Sequence, residues 1–225
     1  MFQETVLFNT LGKKAPKEAV VLFDGTSLDG WKHEDGRKAE WELMDDFMRV
    51  KPRSKSIVSV YQFKDCYLHL EFRLSDMPEA TGQMKSNSGV FLQNRYEIQV
   101  LDSSGWKVPG TGDCGAVYNH HAPLVNACKP AMEWQTYDIF FRAPRFITGG
   151  RKVENARMTV FLNGCIIHNN VEQWRRTAGN PPQSDDWEDT PGPILLQDHN
   201  NVVDYRNIWL IPLPAAGSPD YEPHN

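Results

Sequence analysis

The stretch ARMTVFLNGCIIHNNVE, residues 156–172, decides what kind of fold this chain can build. Two alternating runs meet at Asn163-Gly164, and a type I′ turn, which needs positive φ at both central positions, is tolerated best by Asn-Gly. The spacing therefore predicts a β-hairpin. Outward from it, short alternating segments bounded by turn residues recur: VVLF at 20–23, WELMDDFMRV at 41–50, SIVSV at 56–60, YLHLEFRLS at 67–75, GVFLQN at 89–94 and YEIQVLD at 96–102. GAVY at 115–118, EWQTYDIFF at 133–141, PILLQD at 193–198 and DYRNIWLIPL at 204–213 continue the series. That makes about a dozen strands and no amphipathic helix. Without helices to cover a parallel sheet, the pattern predicts an all-β chain of two packed antiparallel sheets, a sandwich or jelly roll, in preference to a barrel or an α/β fold.

A length of 225 residues fits one such unit, and 40% hydrophobic with 24% charged residues supplies a packed interior and argues against disorder. Residues 1–18 and 214–225 read as peripheral arms around a jelly-roll domain at 19–213. A formal charge of −5 without any dense basic run argues against nucleic acid as a partner. No run of ~18 apolar residues is present to span a bilayer. The N-terminus as it stands lacks the apolar core of a signal peptide, although removal of such a signal leaves the same sequence and export stays open. Cys66, Cys114, Cys128 and Cys165 share no C-x-x-C spacing, which argues against a zinc site or a dithiol motif. A Cys114–Cys128 bridge and buried free thiols stand as alternatives.

Alternation also assigns faces. On 67–75, Leu68, Leu70, Phe72 and Leu74 fall on one side and His69, Glu71 and Arg73 on the other. On 95–101, Tyr96, Ile98 and Val100 oppose Arg95, Glu97 and Gln99. Read as adjacent strands, these predict one polar groove shared by His69, Glu71, Arg73, Glu97 and Gln99, with a plain solvated face as the alternative. Trp31, Trp106, Trp134 and Trp187 lie in or beside segments rich in Gly, Asp and Lys, where an indole can stack on a sugar ring. The other reading makes them core plugs at strand ends.

LFDGTSLDGW at 22–31, SNSGVFLQNRYEIQVLDS at 86–103, CGAVYNHHAPLVNACKPAMEWQTYDIFFRAPRF at 114–146, MTVFLNG at 158–164 and GPILLQDHNNVVDYRNIWLIPL at 192–213 together resemble the DUF1080 family, also called the 3-keto-disaccharide hydrolase domain. The resemblance implies a concanavalin A-like lectin/glucanase jelly roll in an exported bacterial protein, periplasmic or extracellular. It also implies action on glycosides whose sugar carries a ketone at C3. Such a ketone acidifies the C2 hydrogen, so a carboxylate or imidazole can remove it while donors stabilise the enediolate oxygen. The C1 oxygen then leaves and water adds back. No cofactor is assigned, with a divalent cation near O3 as the alternative to hydrogen-bond donors, and the route does not need the pair of carboxylates that ordinary glycosidases use.

Carried over by motif, N-S-G falls on Asn87, Ser88 and Gly89, and Y-E-x-Q on Tyr96, Glu97, Ile98 and Gln99, followed by Asp102. L-Q-D-H falls on Leu196, Gln197, Asp198 and His199, and R-N-I on Arg206, Asn207 and Ile208. Glu97 is the expected base, its pKa raised by partial enclosure. His199 is the expected acid, or the two exchange roles. Asp198 orients His199 or holds a cation, provided the strand ends there, because neighbours on a straight strand point to opposite faces. Asn87, Gln99, Asp102, Glu71, Arg73, Gln197, Arg206 and Lys129 are the expected substrate-binding residues. The structural alternatives are an ion pair from Glu97 to Arg73 or Arg95, one from Arg206 to Glu97 or Asp204, and a surface position for Lys129. His120 and His121 depart from the family pattern and suggest adjusted specificity or a metal ion, but no third ligand has supporting spacing, so no metal site is assigned.

The resulting expectation is a jelly-roll glycosidase with a carbohydrate substrate. A noncatalytic carbohydrate-binding module is the alternative from another class, separated by turnover. A calcium-stabilised adhesion domain is a third, for which no EF-hand-like ligand run is present.

Overall fold

The computed structural model describes residues 5–177 and 189–215. In chain order its strands are β1 (Val20–Phe23), β2 (Trp31–His33), β3 (Glu42–Leu43), β4 (Met48–Arg49), β5 (Ile57–Phe63), β6 (Cys66–Leu74), β7 (Ser88–Leu92) and β8 (Tyr96–Val100). They continue with β9 (Trp134–Arg142), β10 (Arg145–Phe146), β11 (Lys152–Glu154), β12 (Ala156–Leu162), β13 (Cys165–Gln173), β14 (Gly192–Leu196) and β15 (Val203–Pro212). Among the described residues, one 3-10 turn at Gly82–Met84 is the sole helical element. No helix there is long and apolar enough to cross a membrane.

The strands form the expected sandwich of antiparallel sheets. One layer runs β13-β12-β9-β6-β15-β4-β3, with β1 also pairing β15, the other runs β2-β5-β14-β7-β8, and β10-β11 form a separate two-stranded ribbon. Leu68, Leu70 and Phe72 of the larger sheet and Val90, Ile98 and Val100 of the smaller one are fully buried members of one core cluster, so these faces look at each other. The 156–172 hairpin forms as its turn residues require: Leu162 pairs Cys165, with Asn163 at φ 53° and Gly164 at φ 78°. Residues 41–50 are not one strand but two short ones, β3 and β4, paired across a turn that the Asp45-Asp46 dipeptide opens. At 115–118 only Val117 makes ladder bridges, to Ile98 and to His121. The four cysteines are free thiols.

The parity of β6 and β8 is as expected, yet the common groove is not. The two strands belong to different sheets whose apolar sides meet in the core, so their polar sides face opposite ways. His69, Glu71 and Arg73 lie on the outer surface of the larger sheet, and Glu97 and Gln99 on that of the smaller one. Alternation within a strand is local chemistry; which strand lies beside which is decided by pairing across long stretches of chain.

Two devices shape the larger sheet's outer face. Along β15 the register with β6 shifts between Arg206↔Glu71 and Trp209↔His69, so three steps on one strand match two on the other. This bulge, with Asn207 at φ 47°, puts Arg206, Asn207 and Trp209 on one surface despite their spacing. The N-terminal arm then crosses that surface: Leu7 N donates to Gly164 O (2.9 Å), Thr10 Oγ1 to Asp138 Oδ2 (2.5 Å) and Gly12 N to Glu71 Oε1 (2.6 Å). A Cβ at Gly164 would lie 1.7 Å from Phe8 O, so glycine there serves both the turn and the seat of the arm.

Candidate active site

On the smaller sheet, register lines up same-face residues in rows. Val58 pairs Leu195, Leu195 pairs Phe91 and Phe91 pairs Glu97, so a buried apolar strip ends at a carboxylate. In the next row Gly89 pairs Gln99, and the Gln197 amide N donates to Gly89 O (3.0 Å) just past the end of β14. The free edge of β8 is covered from both directions. Tyr118 N donates to Glu97 O (3.2 Å), and Glu97 N donates to Thr177 Oγ1 (2.6 Å).

Glu97 is 4% exposed, and Gly89 makes room for it: a Cβ on Gly89 would sit 2.4 Å from Glu97 Oε1 and 2.8 Å from the Phe91 ring. No described residue donates a hydrogen bond to the carboxylate or forms an ion pair with it. Arg73 binds Asp204, and Arg95 reaches Gln93 Oε1 and Thr190, which removes both expected ion-pair partners. Burial against an aromatic edge and bare backbone pushes the Glu97 carboxyl up to about 8, because no described residue compensates the charged form for lost water.

Beside it lies a cluster of side-chain amides. Asn87 Nδ2 donates to Gln83 O (2.7 Å) and Oε1 (3.1 Å), Gln99 Nε2 donates to Gln83 Oε1 (3.0 Å), and Gln83 Nε2 donates to Gly112 O (2.8 Å). The Tyr118 ring and the Gln83 amide both approach the open side of Gly112. The structure thus brings together Glu97, Gln99, Asn87 and Gln197. Gln83, Tyr118 and Thr177 were not among the expected residues. Tyr118 was accessible in principle from the register of GAVY against β8, whereas nothing local marks Gln83 or Thr177.

The other expected residues are elsewhere or otherwise engaged. β14 ends at Leu196, so the strand does stop before Asp198, but the Asp198 carboxylate accepts from Lys55 N (3.0 Å) and Asn200 N (2.8 Å) and serves as a loop clamp. His199 is half-buried with no hydrogen-bond partner among the described residues, and no bond links it to Glu97. Asp102 is buried in an ion pair with Lys85 (2.9 Å). Lys129 Nζ donates to Trp134 O (3.2 Å), which ties it to β9 of the larger sheet. Trp31 is a core plug with its Nε1 on Leu22 O, Trp134 lies under Arg73 and Arg206, Trp106 is exposed, and Trp187 falls outside the described residues. Among the described residues no three His, Cys, Asp or Glu side chains converge as a metal-ligand set.

Glu71, Arg73 and Arg206 occupy the opposite surface in a saturated network. Glu71 accepts from Arg206 Nε (2.8 Å), Asn207 Nδ2 (2.9 Å) and Gly12 N, while His69 Nδ1 contacts Asp138 Oδ1 (2.9 Å) and its ring stacks on Trp209. Burial by itself raises the Glu71 carboxyl, but the hydrogen bonds from His69, Asn207, Arg206 and Gly12 outweigh it and hold the group down at about 2. A cavity of about 350 Å³ opens beside it, lined in part by Gly12, Asp46, Glu71, Arg206, Asn207 and Trp209.

Comparison with known proteins identifies the family. A family model described as the 3-keto-alpha-glucoside-1,2-lyase-like domain matches residues 18–211. A candidate glycosyl hydrolase from Parabacteroides distasonis ATCC 8503 is 34% identical, over 89% of this chain and 86% of that one, with a TM-score of 0.82. A second candidate glycosyl hydrolase from the same organism is 18% identical over 94% of this chain and 100% of its own, TM-score 0.63, and shares the fold. So does the Crh5 transglycosylase in complex with NAG, 14% identical over 91% of this chain and 90% of that one, TM-score 0.51. Among curated protein sequences none matches. The chain belongs to the 3-keto-alpha-glucoside-1,2-lyase-like family and has a concanavalin-like fold.

Proposed function

We propose that this member of the 3-keto-alpha-glucoside-1,2-lyase-like family is a carbohydrate-active enzyme that cleaves 3-keto glycosides, with Glu97 as the base at C2. The observation that carries the reading is the Glu97 carboxyl itself: buried, without a partner among the described residues and pushed up to about 8, it has the basicity that proton abstraction needs. Glu71, equally buried, is held at about 2 by its donors and is a poor base.

In the proposed sequence the Glu97 carboxylate takes the C2 proton, and the C–H electron pair passes into the enediolate on C2 and C3. The Tyr118 hydroxyl is the donor left open for the developing O3 charge, while the Asn87 and Gln99 amides, which donate to Gln83 and Gly112, join it only by exchanging those bonds for the substrate oxygen. Collapse of the enediolate re-forms the ketone, makes the C1–C2 double bond and expels the C1 oxygen. Glu97, now a neutral acid, returns its proton to that leaving oxygen; a group titrating near neutrality serves both steps, so the route needs no second titratable residue. His199 is the alternative acid. Water then adds at C1 and restores a proton at C2, giving net hydrolysis. Export to the periplasm or beyond goes with this reading, and fractionation of the source cell tests it.

The test offers a 3-keto disaccharide and its unoxidised parent in deuterated water. The expected result is C2 exchange and release of the leaving sugar from the first alone. Equal cleavage of the parent would show ordinary glycosidase chemistry instead, and saturable binding without turnover would show a carbohydrate-binding module.

A further inference from the structure

The reading above leaves one conspicuous feature unused, an indole held open at the rim of β8. Trp174 is 48% exposed, yet it is fixed in place. The His120 ring lies parallel to it at 5.3 Å and 6°, and the His121 ring meets it edge-on at 5.6 Å and 84°. Both imidazoles are pinned in turn. His121 Nε2 bonds Glu172 O (2.9 Å), and Arg175 Nε donates to His120 Nε2 (3.0 Å), with the Gln173 side-chain amide against Nδ1 of the same ring. Lys152 Nζ fixes the Trp174 carbonyl (3.0 Å). One face of the indole is therefore backed by imidazole, and the remainder is offered to solvent.

The platform is tied to Glu97 on two sides. The turn that carries His120 runs beside β8, where Tyr118 N reaches Glu97 O. The segment that carries Trp174 arrives at the same residue through Thr177, whose hydroxyl accepts from Glu97 N. His120 lies two positions after Tyr118 and Trp174 three before Thr177, so the stack is carried by the two short segments that bond the Glu97 backbone. A rigid, exposed indole presents a flat apolar surface at low entropic cost, and the apolar C–H face of a pyranose matches it. The neighbouring Arg175 guanidinium is available to ring hydroxyls.

We propose that the open face of Trp174, backed by His120, seats the sugar ring that departs when the C1–O bond breaks, which makes a sugar leaving group a specificity element of this enzyme. The proposal rests on Glu97 acting at C2. Its test compares wild type and Trp174→Ala on a 3-keto disaccharide and on the methyl 3-keto glycoside of the same oxidised sugar, with the melting temperature as a check on folding. The expected result is a loss of about tenfold in kcat/KM for the disaccharide, mostly through KM, equivalent to about 1.4 kcal/mol. The methyl glycoside should change less than about twofold, with its C2 exchange rate intact, and Trp174→Phe should recover part of the loss. Equal losses on both substrates, or no loss on the disaccharide, overturn the subsite while the role of Glu97 stands. If wild type turns over neither substrate, the reading of Glu97 fails by itself. The subsite is then judged by quenching of tryptophan fluorescence with the unoxidised disaccharide: saturable quenching lost in Trp174→Ala supports it, and no quenching in wild type overturns it.

Discussion

Glu71 and Glu97 each sit in mid-strand on the outward face of a sheet, and each is almost wholly buried, at 0% and 4% exposure. Their surroundings differ in one respect. Glu71 is met by a guanidinium, a side-chain amide, an imidazole and a backbone N–H, so its charge is better solvated inside the protein than in water. Glu97 is met by the bare backbone of Gly89 and the edge of Phe91. Burial is thus a poor guide to what a carboxylate does; the number of donors aimed at it separates an architectural anion from a reactive one.

The largest effect expected from this contrast is on rate. Glu97→Gln should cost on the order of 10²–10⁴ in turnover of a 3-keto disaccharide, whereas Glu71→Gln should leave kcat within about threefold. Steady-state kinetics on the two variants checks it, and a matching loss in Glu71→Gln would erase the distinction.

Stability should respond in the reverse sense. Glu71→Ala takes the acceptor from the Asn207 amide and the Gly12 N–H and leaves Arg206 with Asp46 alone, and should lower the unfolding free energy by about 1–3 kcal/mol. Glu97→Gln should raise it, by an amount that depends on pH. The Glu97 pKa is raised on folding from about 4.3, so its contribution is complete below that value and is lost progressively as pH rises toward about 8. Replacing it removes a penalty on the order of 3–5 kcal/mol at pH 8 and almost nothing at pH 4. Denaturant melts of both variants across this range would show the gap opening with pH.

The two regions also predict separate pH limits. The rate should climb as pH rises toward about 8, because Glu97 must be ionised to act as the proposed base. Glu71 and Asp138 are both lowered, burial being outweighed by hydrogen bonds from His69 and its neighbours. The Glu71 stabilisation is present above about 4 and is lost as pH falls toward 2, and that of Asp138 is lost in the same direction. Acid should therefore loosen the face under the N-terminal arm, which hydrogen exchange at Gly12 would report. The smallest effect concerns the amide cluster: Gln83→Ala removes one shared partner of Asn87 and Gln99 and should raise KM by about 2–10-fold with kcat little changed.

How far the sequence could be read follows from the range of each interaction. The Asn163-Gly164 turn, the inward set Leu68, Leu70, Phe72 and Leu74, and the outward position of Glu97 on its strand were all legible, because turn dihedrals and the two-residue period of a strand are set by neighbours in the chain. The tertiary structure alone decided that β6 and β8 belong to different sheets and that a bulge at Asn207 joins Arg206 and Trp209 on one surface. It also decided that the N-terminal arm donates to Glu71 while Gly89 leaves Glu97 bare. Those outcomes depend on contacts between residues far apart in sequence, such as Gly12 with Glu71 and Glu97 with Thr177, and no local pattern encodes which distant group will supply or withhold a hydrogen bond.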